Sequence, residues 1–383
     1  MNGPSMYQIP ARRMALLGIT LLTLVLALCG RIALLQVWPN YERGFVFLQA
    51  QGDARTNRTI EIPAARGMIL DREGRPLAVS TPVISIWSDP AQMELSDSEI
   101  LGLAAELEIP QETLVLKLKG QPEQRFVYLK RGMVPSSREG LEPYLGRGVY
   151  LMEEYRRYYP SGEVSSQVVG FTNIDERGQE GVELSLDYLL RGASGSQLVV
   201  RDRQGRVVES AEVLKPASPG DNVTLTLDSR LQYLAYRDLK SAVTAHGAIA
   251  GSLVTMDVNS GEILAMVNQP AFNPNNRADI QPASVRNRVL TDLFEPGSTI
   301  KAFTMLAALE SGRYRPETIV DTSPGRMQID GKLIYDPVNY GELSLAMILA
   351  KSSQVGTTKI ALDLDPDQLP ALLQRLGLGE VPG

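Results

Sequence analysis

Residues 294–309 read Phe294-Glu-Pro-Gly-Ser298-Thr-Ile-Lys301-Ala-Phe-Thr-Met-Leu-Ala-Ala-Leu309. Pro296 and Gly297 break the chain just before a run of good helix formers, and Gly312 follows it, so Ser298 is expected in the first helical turn. Residues three apart share a helix face. Ser298 Oγ and Lys301 Nζ can therefore point into one cleft, the hydroxyl as nucleophile and the amine as its base. An ordinary lysine is protonated at neutral pH. Burial beside an apolar helix, near its positive N-terminus, disfavours the charged form and lowers the pKa.

The residue inventory favours this pair. The chain holds a single histidine, His246, in Thr244-Ala-His246-Gly247, which reads as a loop. A Ser-Lys engine is then more economical for acyl transfer than a Ser-His-Asp triad. Taken alone, a Ser-x-x-Lys spacing arises by chance on the order of once in a chain of this length. A second polar stretch adds context: Lys351-Ser352-Ser353-Gln354-Val-Gly356 is expected as a turn between two helical segments, offering a hydroxyl and an amide to a cleft. Cys29 is the only cysteine, so no intrachain disulfide or cysteine-rich metal site is available, and the expected chemistry uses no cofactor. A formal net charge of −6 makes nucleic acid an unsuitable partner.

Working toward the N-terminus, Asn222 to Leu227 alternates as a strand, and a helix is expected to open at Ser229-Arg-Leu-Gln232 with capping-box spacing. Two apolar strands, Ala248 to Asp257 and Glu262 to Gln269, flank Val258-Asn-Ser-Gly261 as an antiparallel hairpin. Helical segments are expected to dominate the chain beyond Gln269. Leu214-Lys-Pro-Ala-Ser-Pro-Gly-Asp221 is a Pro/Ser/Gly break, and residues 215–220 are expected as a linker. Before it, residues 39–214 read as an α+β domain. It holds a hairpin-like element in 66–80, helical spacing between Ser96 and Leu118 interrupted by Pro110, and a charged, Tyr-rich piece at 153–160. From Met14 to Gly30 the chain is apolar apart from threonines and Cys29, continuing to Trp38, long enough to span a bilayer. Arg31 is placed to snorkel, Trp38 and Tyr41 suit the interface, and Arg12 and Arg13 favour a cytoplasmic tail over residues 1–13. Bulky residues after Arg31 argue against signal cleavage, and Leu28 before Cys29 against a lipoprotein signal.

Several motifs in order resemble one family. Arg286 to Lys301 and Lys351 to Gly356, with Arg66-Gly-Met-Ile-Leu-Asp71-Arg72, Arg156-Arg-Tyr-Tyr-Pro-Ser-Gly162 and Glu180-Gly-Val-Glu183, resemble the class B penicillin-binding proteins, in their division-specific branch. The resemblance implies a single transmembrane helix (14–38), an α+β pedestal, and, over 221–383, part of an α/β transpeptidase domain with an antiparallel sheet and helices. It implies an exported protein of the bacterial inner membrane at the division septum. Ser298 would be acylated by the penultimate D-Ala of a peptidoglycan stem peptide, Lys301 would be its base, Ser352 would relay a proton to the leaving amine, and Gln354 would hold the substrate amide. β-Lactams would acylate Ser298 as mimics, and the glycan polymerase FtsW and other division proteins would be partners.

Two departures stand out. The family has Asn where this chain has Gln354, and its Lys-Thr/Ser-Gly motif does not occur after Gln354, which implies an incomplete domain. The expectation is thus a D,D-transpeptidase. The alternatives are an inactive membrane-anchored interaction protein and, more remotely, a β-lactamase.

Overall fold

In a computed structural model of the chain, residues 10–36, 44–120, 123–201 and 207–380 are described. They form two compact units, one ending at Thr291 and the other beginning at Asp292.

The first unit opens with the helix Ala11–Gln36, so Arg12 and Arg13, expected in a tail, fall in its first turn. Its apolar side chains are exposed, as at Leu16, Leu21 and Leu26. Within it, Ala11–Ala33 is long and apolar enough to cross a membrane. Trp38 and Tyr41 lie outside the described residues.

The expected hairpin in 66–80 forms as strand Ile69–Leu70 against the long strand Pro76–Ser88. Its turn is held by Asp71, whose buried carboxylate accepts the backbone N–H of Glu73 and Arg75 at 2.9 and 2.8 Å and the hydroxyl of Ser229 at 2.6 Å. Pro76–Ser88 is flanked by Val127–Met133 and Val149–Tyr158, both antiparallel. Against this sheet pack two helices. Asp97–Glu106 starts on a Ser96–Glu99 capping box, and Gln111–Lys119 starts after Pro110, which lacks the N–H needed to continue the first helix. Ile100, Leu103, Leu107 and Leu114 are buried there with Ile86, Leu129 and Val149. A separate sheet joins Asn57–Ile62, Gly195–Arg201 and Val207–Lys215 in that order.

The segment 215–220 packs closely instead of hanging free. Gly220 donates to Ala65 O, and a β-carbon on Gly220 would lie 1.8 Å from Leu190 O. Val223–Thr224 then pairs in parallel with Ile69–Leu70, and Leu227 joins the core of Ile69, Leu77 and Leu190. This is why the compact unit runs on to Thr291. The helix Ser229–Ala245 is capped one residue earlier than expected, because Asp228 accepts from Arg230 and Leu231 N–H while Ser229 is engaged by Asp71. Gln232, expected in the cap, is buried instead and bonds to Val164 O and to both N–H and O of Met266. The expected hairpin forms from Gly251–Met256 and Ile263–Gln269.

The second unit packs helix Ile300–Glu310 against Leu345–Ala350, Gln354–Asp363 and Gln368–Arg375, around Met305, Ala308, Ile348, Ile360 and Leu372. Helices do not account for the whole of it. Two short antiparallel pairs, Ile319–Asp321 with Glu342–Ser344 and Arg326–Ile329 with Lys332–Tyr335, stand beside them. Strands of three or four residues leave too short an alternation to read.

Candidate active site

Ser298 sits in a single turn of 3₁₀ helix, Gly297–Thr299, that runs directly into Ile300–Glu310. Gly297 has φ +58°, a value a β-carbon would resist, which lets the chain turn sharply at the exposed serine. Lys301, one turn on, is 9% exposed. Its burial pushes the amine below the ordinary lysine range, against the opposing pull of the Asp336 charge.

The two side chains meet through a third. Lys301 Nζ donates to Ser352 O at 2.6 Å and to Ser352 Oγ at 2.9 Å, and Ser352 Oγ donates to Ser298 Oγ at 2.9 Å. The expected direct Lys301–Ser298 contact is replaced by this chain of three groups.

Ser352 is placed by the ends of two helices. Leu345–Ala350 closes with Ser352 N–H bonded to Leu349 O at 3.0 Å and Ser353 N–H to Ile348 O at 2.9 Å, the reciprocal pattern of a Schellman ending. That ending needs a left-handed residue, usually glycine. Here it is Ser352, at φ +53°. Ser353 at once caps the next helix, its Oγ accepting from Gly356 N–H at 2.9 Å. The helices lie so close that a β-carbon on Gly356 would come within 2.9 Å of the Ile348 side chain.

Asp336, which the sequence did not single out, locks this junction. Its buried carboxylate accepts Ser353 Oγ at 2.6 Å, Gln354 N–H at 2.5 Å and Val355 N–H at 3.2 Å. A carboxylate facing a helix N-terminus is favoured by the dipole as well as by the bonds. Asp336 follows a strand of only four residues, so no periodicity marks it. Gln354 occupies the first position of helix Gln354–Asp363, and the residue is exposed. His246 ends helix Ser229–Ala245 on the surface of the first unit.

An exposed serine joined to a buried amine of lowered pKa, on a helix N-terminus, is the arrangement of a serine acyl-transfer enzyme. The chain belongs to the class B penicillin-binding proteins: residues 61–225 match the penicillin-binding protein dimerisation domain and residues 251–383 the penicillin-binding protein transpeptidase domain. It is 44% identical over 365 residues to the probable peptidoglycan D,D-transpeptidase PbpC of Pseudomonas aeruginosa, covering 95% of this chain and 64% of that one. It is 42% identical over 374 residues to the peptidoglycan D,D-transpeptidase FtsI of Escherichia coli, covering 96% and 62%. The chain thus spans less than two thirds of the length of these relatives. Among solved structures, the penicillin-binding protein PBP2 of Helicobacter pylori, in a complex with MreC, shares the fold at TM-score 0.66 and 21% identity over 85% of this chain and 66% of that one. Penicillin-binding protein 2X of Streptococcus thermophilus does so at 0.62 and 23%, over 83% and 51%.

The other motifs of the resemblance converge in the first unit. Arg66 Nε and Arg157 Nε donate to the two oxygens of Glu183 at 2.7 and 2.6 Å, and Arg66 also reaches Asp187 at 2.7 Å. Arg66, Arg157 and Glu183 are all buried, so those motifs hold the fold and not the nucleophile.

Proposed function

We propose that this chain carries the nucleophile of a peptidoglycan D,D-transpeptidase that cross-links stem peptides at the division septum. The carrying observation is the chain Lys301 Nζ–Ser352 Oγ–Ser298 Oγ, with both links at 2.9 Å. The family match and the names of the Pseudomonas and Escherichia relatives support the reaction class, and the name FtsI supports the division role.

Ser298 Oγ attacks the carbonyl carbon of the penultimate D-Ala. Its proton passes to Ser352 Oγ as the Ser352 proton passes to neutral Lys301, since hydroxyl rotors can reverse the direction of both bonds. Collapse of the tetrahedral intermediate expels terminal D-Ala, whose amine takes the proton back through Ser352. An acceptor amine then attacks the ester and frees Ser298. Ser298 N–H, at a helix N-terminus, faces the developing oxyanion. Gln354, exposed at the first position of its helix, would bond the substrate amide. A β-lactam enters the same first step, and its opened ring holds the acyl group.

We place the protein in the bacterial inner membrane by the helix Ala11–Gln36, with Arg12 and Arg13 on the cytoplasmic side and the pedestal exported. A glycan polymerase of the FtsW kind and other division proteins are the partners the family suggests. A fluorescent penicillin applied to native membranes, followed by peptide mapping, is expected to mark Ser298, and Ser298→Ala to abolish the mark. An adduct on any other residue overturns the reading.

A further inference from the structure

In the first unit a cavity of about 340 Å³ is lined by strand residues of the pedestal and by the turns at 173–176 and 274–277. Four guanidinium groups, Arg131, Arg156, Arg157 and Arg277, line it with only two carboxylates, Glu154 and Glu176. Arg131 is neutralised, by Glu154 and by Asp175, each at 2.9 Å. Glu176 accepts the Ser80 hydroxyl at 3.0 Å, and its burial pushes it up, toward the neutral form.

Arg157 pairs with Glu183 at 2.6 Å, but the other two cations have no such partner. Among the described residues, neither Arg156 nor Arg277 has a carboxylate within ion-pair distance. Among the described residues, the only side-chain bond of Arg277 is a long one, 3.5 Å, to Thr172 Oγ1. Partial desolvation at the cavity rim, with the like charge of Arg156, lowers the affinity of Arg277 for its proton. Arg156 lies across Gly132, its Nη1 3.9 Å from where a β-carbon would stand. Asn275 fixes the loop bearing Arg277 by bonding both N–H and O of Tyr159, at 3.0 and 2.9 Å. At the cavity wall Arg157 is 3% exposed. Its Nε and Nη1 are bonded to Glu183, Ser80 and Arg66 O, but Nη2 is buried with no partner. A buried charged donor left unmade is costly, so an acceptor there is strongly favoured.

We propose that this cavity binds an oxyanion of the phosphate class, with Arg156 and Arg277 supplying two charges at the rim and Arg157 Nη2 a buried donor. Two unmatched charges suit a dianion, and the forked guanidinium groups match phosphate oxygens. The site is independent of acyl transfer at Ser298.

Calorimetric titration of the full chain in neutral detergent micelles tests it, with two probes: inorganic pyrophosphate, and micelles doped with a lipid bearing a phosphomonoester headgroup. Saturable binding is expected, weakened about tenfold or more by Arg156→Gln or Arg277→Gln, since each removes a charge-assisted bond. Both residues are exposed, so thermal melting should be unchanged. Lys119→Gln, at an exposed ion pair elsewhere, and Ser298→Ala should bind like the parent. Binding of the doped micelles alone assigns the group to a lipid, and binding of pyrophosphate assigns it to a soluble source. No saturable binding of either probe, or equal losses in Lys119→Gln, overturns the proposal.

Discussion

Ser352 adopts a left-handed backbone that a β-carbon disfavours, at a helix ending where glycine is the usual choice. Its hydroxyl is what the position gains, since that group joins Lys301 to Ser298. The two demands can be separated. Ser352→Gly should stabilise the fold by about 0.5–1 kcal/mol in urea denaturation, by relieving the strain. The same variant should acylate with penicillin on the order of 100-fold more slowly, because the proton path is cut. Lys301 makes a second prediction. The neutral amine is the active form, so acylation should rise with pH through the Lys301 pKa, and burial sets that limb below the ordinary lysine value. Lys301→Arg, charged throughout, should flatten the limb and leave little activity at any pH. Ser298 and Lys301 were legible in sequence because one helical turn relates them. The Ser352 hydroxyl was offered to the cleft by its own polar stretch, but its bond to Lys301 was not legible, since 51 residues separate the two.

Between elements, the decisive joint is where helix Leu345–Ala350 ends and Gln354–Asp363 begins, with Asp336 across it. Asp336→Asn should cost about 1–2 kcal/mol in a thermal melt, from a weakened helix-terminus charge and lost charge-assisted bonds. It also has an effect that loss of packing alone would not produce. The Asp336 charge holds the Lys301 pKa up, so its removal should move the acid limb of acylation to lower pH. Elements with a local signal were readable: the two helices either side of Pro110, the 251–269 hairpin, and the helix bearing Ser298. Where a distant partner intervened, the local signal misled. Asp71 draws the Ser229 hydroxyl away, and the cap passes to Asp228. Asp336 was invisible for the same reason, its three partners being 17 to 19 residues further along.

For the molecule as a whole, the first unit depends on one carboxylate shared by two guanidinium groups from distant parts of the chain. Glu183→Gln would leave Arg157 buried with its charge uncompensated, and Arg66 with Asp187 alone. The cost should be about 3–5 kcal/mol, read as a lowered urea midpoint, because breaking a buried pair from one side exposes the full desolvation penalty. The sequence showed these residues only as separate motifs. Their convergence needs the antiparallel pairing of Pro76–Ser88 with Val149–Tyr158, which sets Ser80 opposite Arg157. The same clasp limits how the protein can be trimmed for solubility. Removing the apolar N-terminal helix leaves Glu183 with both its guanidinium partners, and a new start near Asn57 would keep the outer strand of the 57–62 sheet as well. A start beyond Arg66 would take away one of the two cations and unseat the clasp.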